Sequence, residues 1–117
     1  MTDFTPVQRK WGTYRITHQI DLPNEYKCLT KQLNIQKGKS ISYQKHKYRN
    51  EVWTIVEGEG EVIVRTKKQK VSVGSVVVIK CGELHSIKAN TDMTLIEVQH
   101  GTKLDEEDIY RFDFDWT

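Results

Sequence analysis

The sequence predicts an all-β domain, a small sandwich or barrel. Short alternating or apolar runs recur along the chain at even spacing. Glycines at Gly38, Gly58, Gly60, Gly74 and Gly82 punctuate them as turns. No amphipathic pattern of helix length occurs.

Each element has its own justification. Residues 1–12 read as an N-terminal arm, 13–100 as the barrel and 101–117 as a C-terminal tail, in one domain of 117 residues. Residues 13–20 alternate as a strand does, and Asp21 to Glu25, around Pro23, is a turn. In the strand over 26–36, Leu33 and Ile35 mark the inner face, and Lys31 shares their parity. Residues 41–46 form a strand running into polar groups. The apolar run 52–56 predicts a strand packed on both sides. Strands at 61–66 and 71–73 flank Lys67-Lys68-Gln69-Lys70, expected as a solvated hairpin tip. Further strands are expected at 75–79, 86–89 and 93–100, with a loop at 80–83 delivering His85. The tail is acidic, then aromatic, and a short helical turn there would start well on its acids.

Composition excludes several classes. A chain of this size buries roughly two-thirds of its unfolded surface, enough for a core without disulfides. Eighteen basic and 16 acidic side chains give a net charge of +2, too balanced to draw nucleic acid or a membrane surface. The lysine run carries no interleaved aromatic residues. Cys28 and Cys81 are far apart, as expected of reduced thiols. No apolar run reaches the roughly 20 residues that span a bilayer, and the first residues lack a secretion-type apolar segment, so a cytoplasmic protein is expected.

The chemistry concentrates in two stretches. Gln44 and His46 stand at i and i+2, on one face of a strand, and Glu51 can return on the neighbouring strand. His85 comes from the second stretch. Two imidazoles, a carboxylate and an amide suit one divalent transition ion, zinc as the first expectation, with manganese, iron, cobalt or nickel as alternatives. The competing expectation is four polar groups satisfied by hydrogen bonds inside an inert barrel. Glu97 and Gln99 share one parity of the final strand, Ile96 and Val98 the other. Facing inward, Glu97 is a candidate general base; facing outward, it is a surface acid. Lys31 needs an anion, either Glu97 or a substrate phosphate, unless it reaches solvent. Arg49, two residues before Glu51, reads as a surface arginine at a turn. Arg111 reads as a phosphate ligand or as an ion-pair partner of the acidic tail. Trp53 reads as core.

The first stretch, Gly38 to Gly58, resembles the first cupin motif, G-x5-H-x-H-x4-E-x6-G, with Gln44 in the first His position. The second, Gly74 to Asn90, is similar to the second cupin motif, with Lys80 for its Pro and one extra residue before Asn90. The opening Arg9-Lys10-Trp11-Gly12, the run from Ser42 through Arg49 and Glu51 to Trp53, Ile96-Glu97-Val98-Gln99, and Glu107-Asp108-Ile109-x-Arg111 resemble, in order, the type II mannose-6-phosphate isomerase domain. That domain often forms the C-terminal part of a bifunctional enzyme with mannose-1-phosphate guanylyltransferase.

The resemblance implies a double-stranded β-helix, the jelly-roll barrel of cupins. It implies a metal at Gln44, His46, Glu51 and His85, and a metal-dependent interconversion of mannose 6-phosphate and fructose 6-phosphate in polysaccharide biosynthesis. Arg49 and Glu97 would be catalytic, with Lys31, Arg49, Gln99 and Arg111 on the sugar phosphate. It favours the inward reading of Glu97. The chain departs from the family at Lys47, Tyr48, Val52 and Lys80, close to the ligands. Alternatives are a non-catalytic phosphosugar-binding module partnering a nucleotidyltransferase, and a metal-dependent dioxygenase. An exposed sheet edge and aromatic termini lead to the expectation of a homodimer.

Overall fold

The computed structural model describes residues 5–117; the first four residues of the expected arm lie outside the described residues. The strands are β1 (Val7–Arg9), β2 (Gly12–Asp21), β3 (Lys27–Ile35), β4 (Tyr43–Lys45), β5 (Arg49–Glu57), β6 (Gly60–Val64), β7 (Lys67–Val71), β8 (Val76–Ile79), β9 (His85–Ala89), β10 (Met93–Gly101) and β11 (Tyr110–Phe112). A 3₁₀ turn, Pro23–Glu25, joins β2 to β3. One sheet has the order β1-β2-β3-β10-β5-β8, the other β11-β4-β9-β6-β7. Every pairing is antiparallel. This is the all-β barrel that the sequence predicts.

Register explains where the chemistry sits. On the inner face, Leu95 of β10 lies between Leu33 of β3 and Ile55 of β5. Two residues on, Glu97 lies between Lys31 and Trp53, and two further, Gln99 lies between Leu29 and Glu51. Period-two alternation thus stacks an apolar layer below polar layers. The apolar end closes with Ile35, Ile41, Ile87, Met93 and neighbours, all buried. Gly101 faces Arg49 across the ladder, and a Cβ there would lie 2.5 Å from the Tyr48 carbonyl oxygen. Gly12 is equally constrained: φ is +149° and a Cβ would sit 1.9 Å from the Asn34 carbonyl oxygen, so β2 crosses β3 only with glycine there.

Three expectations change. The stretch 7–9, expected within an arm, is edge strand β1, held in register on β2. Lys67 to Lys70 is not a hairpin tip but most of β7; the turn is Arg65 and Thr66, with Arg65 at φ +60°. Lysines suit that position because an exposed, charged edge strand resists pairing with another chain. The run 52–56 is not packed on both faces: Val56, with Val76 and Val78 of β8, is exposed on the outside of the first sheet. The tail makes one hydrogen-bonded turn on its acids, the Asp108 N–H to the Asp105 carbonyl at 2.9 Å, and then adds the unexpected strand β11 to the edge of β4.

Candidate metal centre and its cavity

Three of the four expected ligands converge. His46 follows β4, Glu51 lies on β5 and His85 opens β9, so the cluster joins the two sheets. One ligand atom from each lies within 4.8 Å of the others, and all three residues are buried. Gln44, half-buried and in register opposite His85, brings its amide nitrogen to 3.4 Å from His46 Nε2. Its Oε1 accepts from the Ser42 hydroxyl at 2.6 Å. A hydroxyl both donates and accepts, so an amide flip would present the oxygen inward without losing that bond.

Both imidazoles are set for ligation from behind. His46 Nδ1 is 2.7 Å from the carbonyl oxygen of Asp108, and His85 Nδ1 is 2.9 Å from that of Glu83. A carbonyl only accepts, so Nδ1 carries the proton and Nε2 presents its lone pair to the cluster. Burial, then the Arg49 charge, lowers the His46 pKa to about 4, and burial lowers that of His85. Both rings are therefore neutral near pH 7, as a metal ligand must be.

The fit of these residues to an ion rests on two contacts. His85 Nε2 is a buried polar atom with no hydrogen-bond partner; the nearest acidic oxygen, Glu51 Oε1, is 3.8 Å away. His46 Nε2 and Glu51 Oε2 stand 3.1 Å apart as two acceptors facing each other. That pair requires a shared cation. Arg49 supplies one: its Nε donates to Glu51 Oε2 at 2.9 Å and its Nη2 reaches His46 Nε2 at 3.3 Å. Arg49 is itself buried, so the reading of a turn arginine at the surface is overturned. It is held inward because Glu51 and His46 are the acceptors within reach. The donor set, two imidazole Nε2 atoms, a carboxylate and an adjacent amide, suits a divalent transition ion once the guanidinium yields its His46 contact.

Beside the cluster stands a second carboxylate. Glu97 faces inward and is buried, which resolves its parity. Its Oε1 accepts from Trp53 Nε1 at 3.1 Å and its Oε2 from Gln99 Nε2 at 2.7 Å. The same indole N–H reaches Glu51 Oε1 at 3.0 Å, so Trp53 bridges the two acids. Burial, reinforced by the charge of Glu51, pushes the Glu97 pKa up to about 7.

A cavity of about 750 Å³ opens onto this region, lined by Gln44, Arg49, Glu97, Lys31 and, at the rim, Arg9 and Arg111. His46, Glu51 and His85 do not line it; Arg49 stands between them and the opening. Gln99 lies outside the lining as well, its amide engaged with Glu97. Lys31 is buried and takes Glu106 as its anion, neither Glu97 nor solvent. Arg111 is exposed, in register with Gln44, and makes no ion pair among the described residues, because β11 carries it away from the acids before it.

Three participants escape the sequence reading. Asp108, buried, accepts the backbone N–H of Lys47 and of Tyr48 at 2.9 Å each, fixing the turn that carries His46. No local pattern announces a partner some sixty residues away. Glu106 is equally silent. The Trp53 bridge was within reach, since residues 49, 51 and 53 share one parity with the ligand.

The family model described as mannose-6-phosphate isomerase C-terminal matches residues 1–114. The chain is 29% identical over 109 residues to mannose-1-phosphate guanylyltransferase ManC of Salmonella typhimurium, covering 92% of this chain and 22% of that protein. It is 32% identical over 109 residues to xanthan biosynthesis protein XanB of Xanthomonas campestris, again covering 92% and 22%. It thus spans about a fifth of the length of these relatives. Oxalate decarboxylase from Bacillus subtilis superposes with a TM-score of 0.78 at 19% identity, over 93% of this chain and 30% of that one, a likeness of fold alone. No helix is long and apolar enough to cross a membrane among the described residues. The chain has the cupin fold, and it belongs to the family of mannose-6-phosphate isomerase C-terminal domains.

Proposed function

We propose that this domain is a metal-dependent aldose–ketose isomerase that interconverts mannose 6-phosphate and fructose 6-phosphate. The observation that carries the reading is Glu97: a buried carboxyl with its pKa raised to about 7, lining the cavity beside Arg49 and joined through Trp53 to the candidate ligand Glu51. The reaction moves a proton between C2 and C1 of the sugar through an enediol. Glu97 takes the proton from one carbon and returns it to the other, a task suited to a group titrating near neutrality. Arg49 offers guanidinium N–H groups to the oxygen on which negative charge develops. Lys31 and Arg111, both lining the cavity, hold the phosphate. His46, Glu51 and His85, with the Gln44 amide, would hold the ion, for which zinc is the first choice. A divalent ion there supplies Lewis-acid polarisation of the sugar carbonyl.

The test is direct: metal-loaded protein mixed with mannose 6-phosphate should produce fructose 6-phosphate. No conversion above background with zinc, manganese, iron, cobalt or nickel would end the reading. The Arg49 contacts favour one second reading. A guanidinium already neutralising Glu51 and filling the His46 lone pair suits a non-catalytic module that binds a sugar phosphate, and binding without conversion would select it.

A further inference from the structure

Two consecutive tail residues engage the cations that line the cavity, one through a carbonyl and one through a carboxylate. The Asp105 carbonyl accepts from Arg49 Nη1 at 3.2 Å, and the Glu106 carboxylate pairs with the Lys31 ammonium. The two ends of that ion pair differ sharply. The Lys31 side chain is 6% exposed, the Glu106 side chain 58%. The Tyr14 ring holds the Lys31 ammonium at 4.5 Å and the Arg9 guanidinium at 5.2 Å, so two cations share one aromatic platform beside the carboxylate. Although removal from water pushes it up, the Glu106 pKa is held below its ordinary value by Lys31, with Arg49 and Arg9 assisting, so the carboxylate is charged at neutral pH.

An uncompensated buried ammonium is costly, so Lys31 must always have an anion. Glu106, more than half exposed, has water to move into; Lys31, buried, has none. The exchangeable member of the pair is therefore the carboxylate. A neutral sugar that displaced it would leave Lys31 unpaired. A phosphate, with a charge of about −1.5 to −2 at pH 7, replaces it with a stronger acceptor.

Resting on the reading of the cavity as a sugar-phosphate site, we propose that Glu106 is a specificity-determining residue, a carboxylate of the chain's own that occupies the phosphate seat on Lys31 and yields it only to an anionic ligand. Entry is then conditional on charge, and the affinity for phosphate carries the cost of expelling Glu106.

Calorimetric titration of the metal-loaded full chain with inorganic phosphate and with mannose tests this. Glu106→Gln should bind phosphate roughly tenfold more tightly than the wild type, since the competitor is gone. Glu106→Asp, which retracts the charge by one methylene, should fall between them. Lys31→Met should lose phosphate binding, and mannose should bind weakly to all. If Glu106→Gln proves poorly stable, phosphate should raise its melting temperature more than that of the wild type. Unchanged or weakened phosphate affinity in Glu106→Gln, or undiminished affinity in Lys31→Met, would overturn the proposal. Phosphate binding requires no turnover. If the ranking holds but mannose 6-phosphate is not converted, only the isomerase reading falls; if conversion is intact but the ranking absent, only this one does.

Discussion

Glu97 is where a single side chain decides most. Glu97→Gln preserves the shape and removes the titration, so conversion should fall by about 10²–10⁴-fold while sugar-phosphate binding persists. The same carboxyl sets a pH dependence of stability in metal-stripped protein. Its folded pKa, about 7, lies above its ordinary 4.5, so the folded state binds the proton more tightly. The stabilisation is complete below pH 4.5 and is lost as pH rises through about 7. His46 acts oppositely: its pKa is lowered to about 4, so its contribution is present above 6.5 and lost as pH falls through about 4. Between about pH 6 and pH 8 the urea midpoint of the wild type should therefore fall relative to that of Glu97→Gln, whose own midpoint rises as the unfolded-state protons of His46 and His85 are lost. Trp53→Phe keeps the ring's bulk but strands two acceptors. It should cost about 1–3 kcal/mol, read from urea unfolding, and shift the Glu97-dependent decline to higher pH.

Strands and turns place these groups, and here the sequence was legible in unequal parts. Period-two alternation identified the inner face of β3 and linked Gln44 to His46, because a strand's parity is written locally. The motif spacing from His46 to Glu51 to His85 found the cluster because His46 directly follows β4, Glu51 lies near the start of β5 and His85 opens β9. Parity could not say which face of β10 is inward, since Glu97-Gln99 and Ile96-Val98 alternate with equal regularity; the register with Lys31, Trp53 and Glu51 decides it. Strand β11 and the role of Asp108 were missed because their partners lie on β4 and in the turn at 46–48, far away in sequence. That turn carries a prediction. Asp108→Ala removes the acceptor of two backbone N–H groups and should cost about 1–3 kcal/mol by thermal or urea unfolding. It should also weaken zinc binding roughly 10–100-fold by calorimetry, because the segment that orients His46 loses its anchor.

At the scale of the molecule, the outer face of the first sheet ends in the edge strand β8, where Val76 and Val78 are 55% and 58% exposed and adjoin exposed Val56. An apolar edge with unpaired backbone groups matches a second copy of itself about a two-fold axis. The chain is therefore predicted to run as a dimer, near twice 13.7 kDa by light scattering. Val76→Lys with Val78→Lys should return it to the single-chain mass while leaving the cavity, which β8 does not line, competent to bind phosphate. The cluster has a reach of its own across the molecule. His46 and His85 come from one sheet and Glu51 from the other, so an ion seated among them rivets the two halves of the barrel. Chelation should then loosen more than the mouth. Amide hydrogen exchange ought to quicken in β4, β5 and β9 together, as when a clasp is undone and both covers of a book fall open.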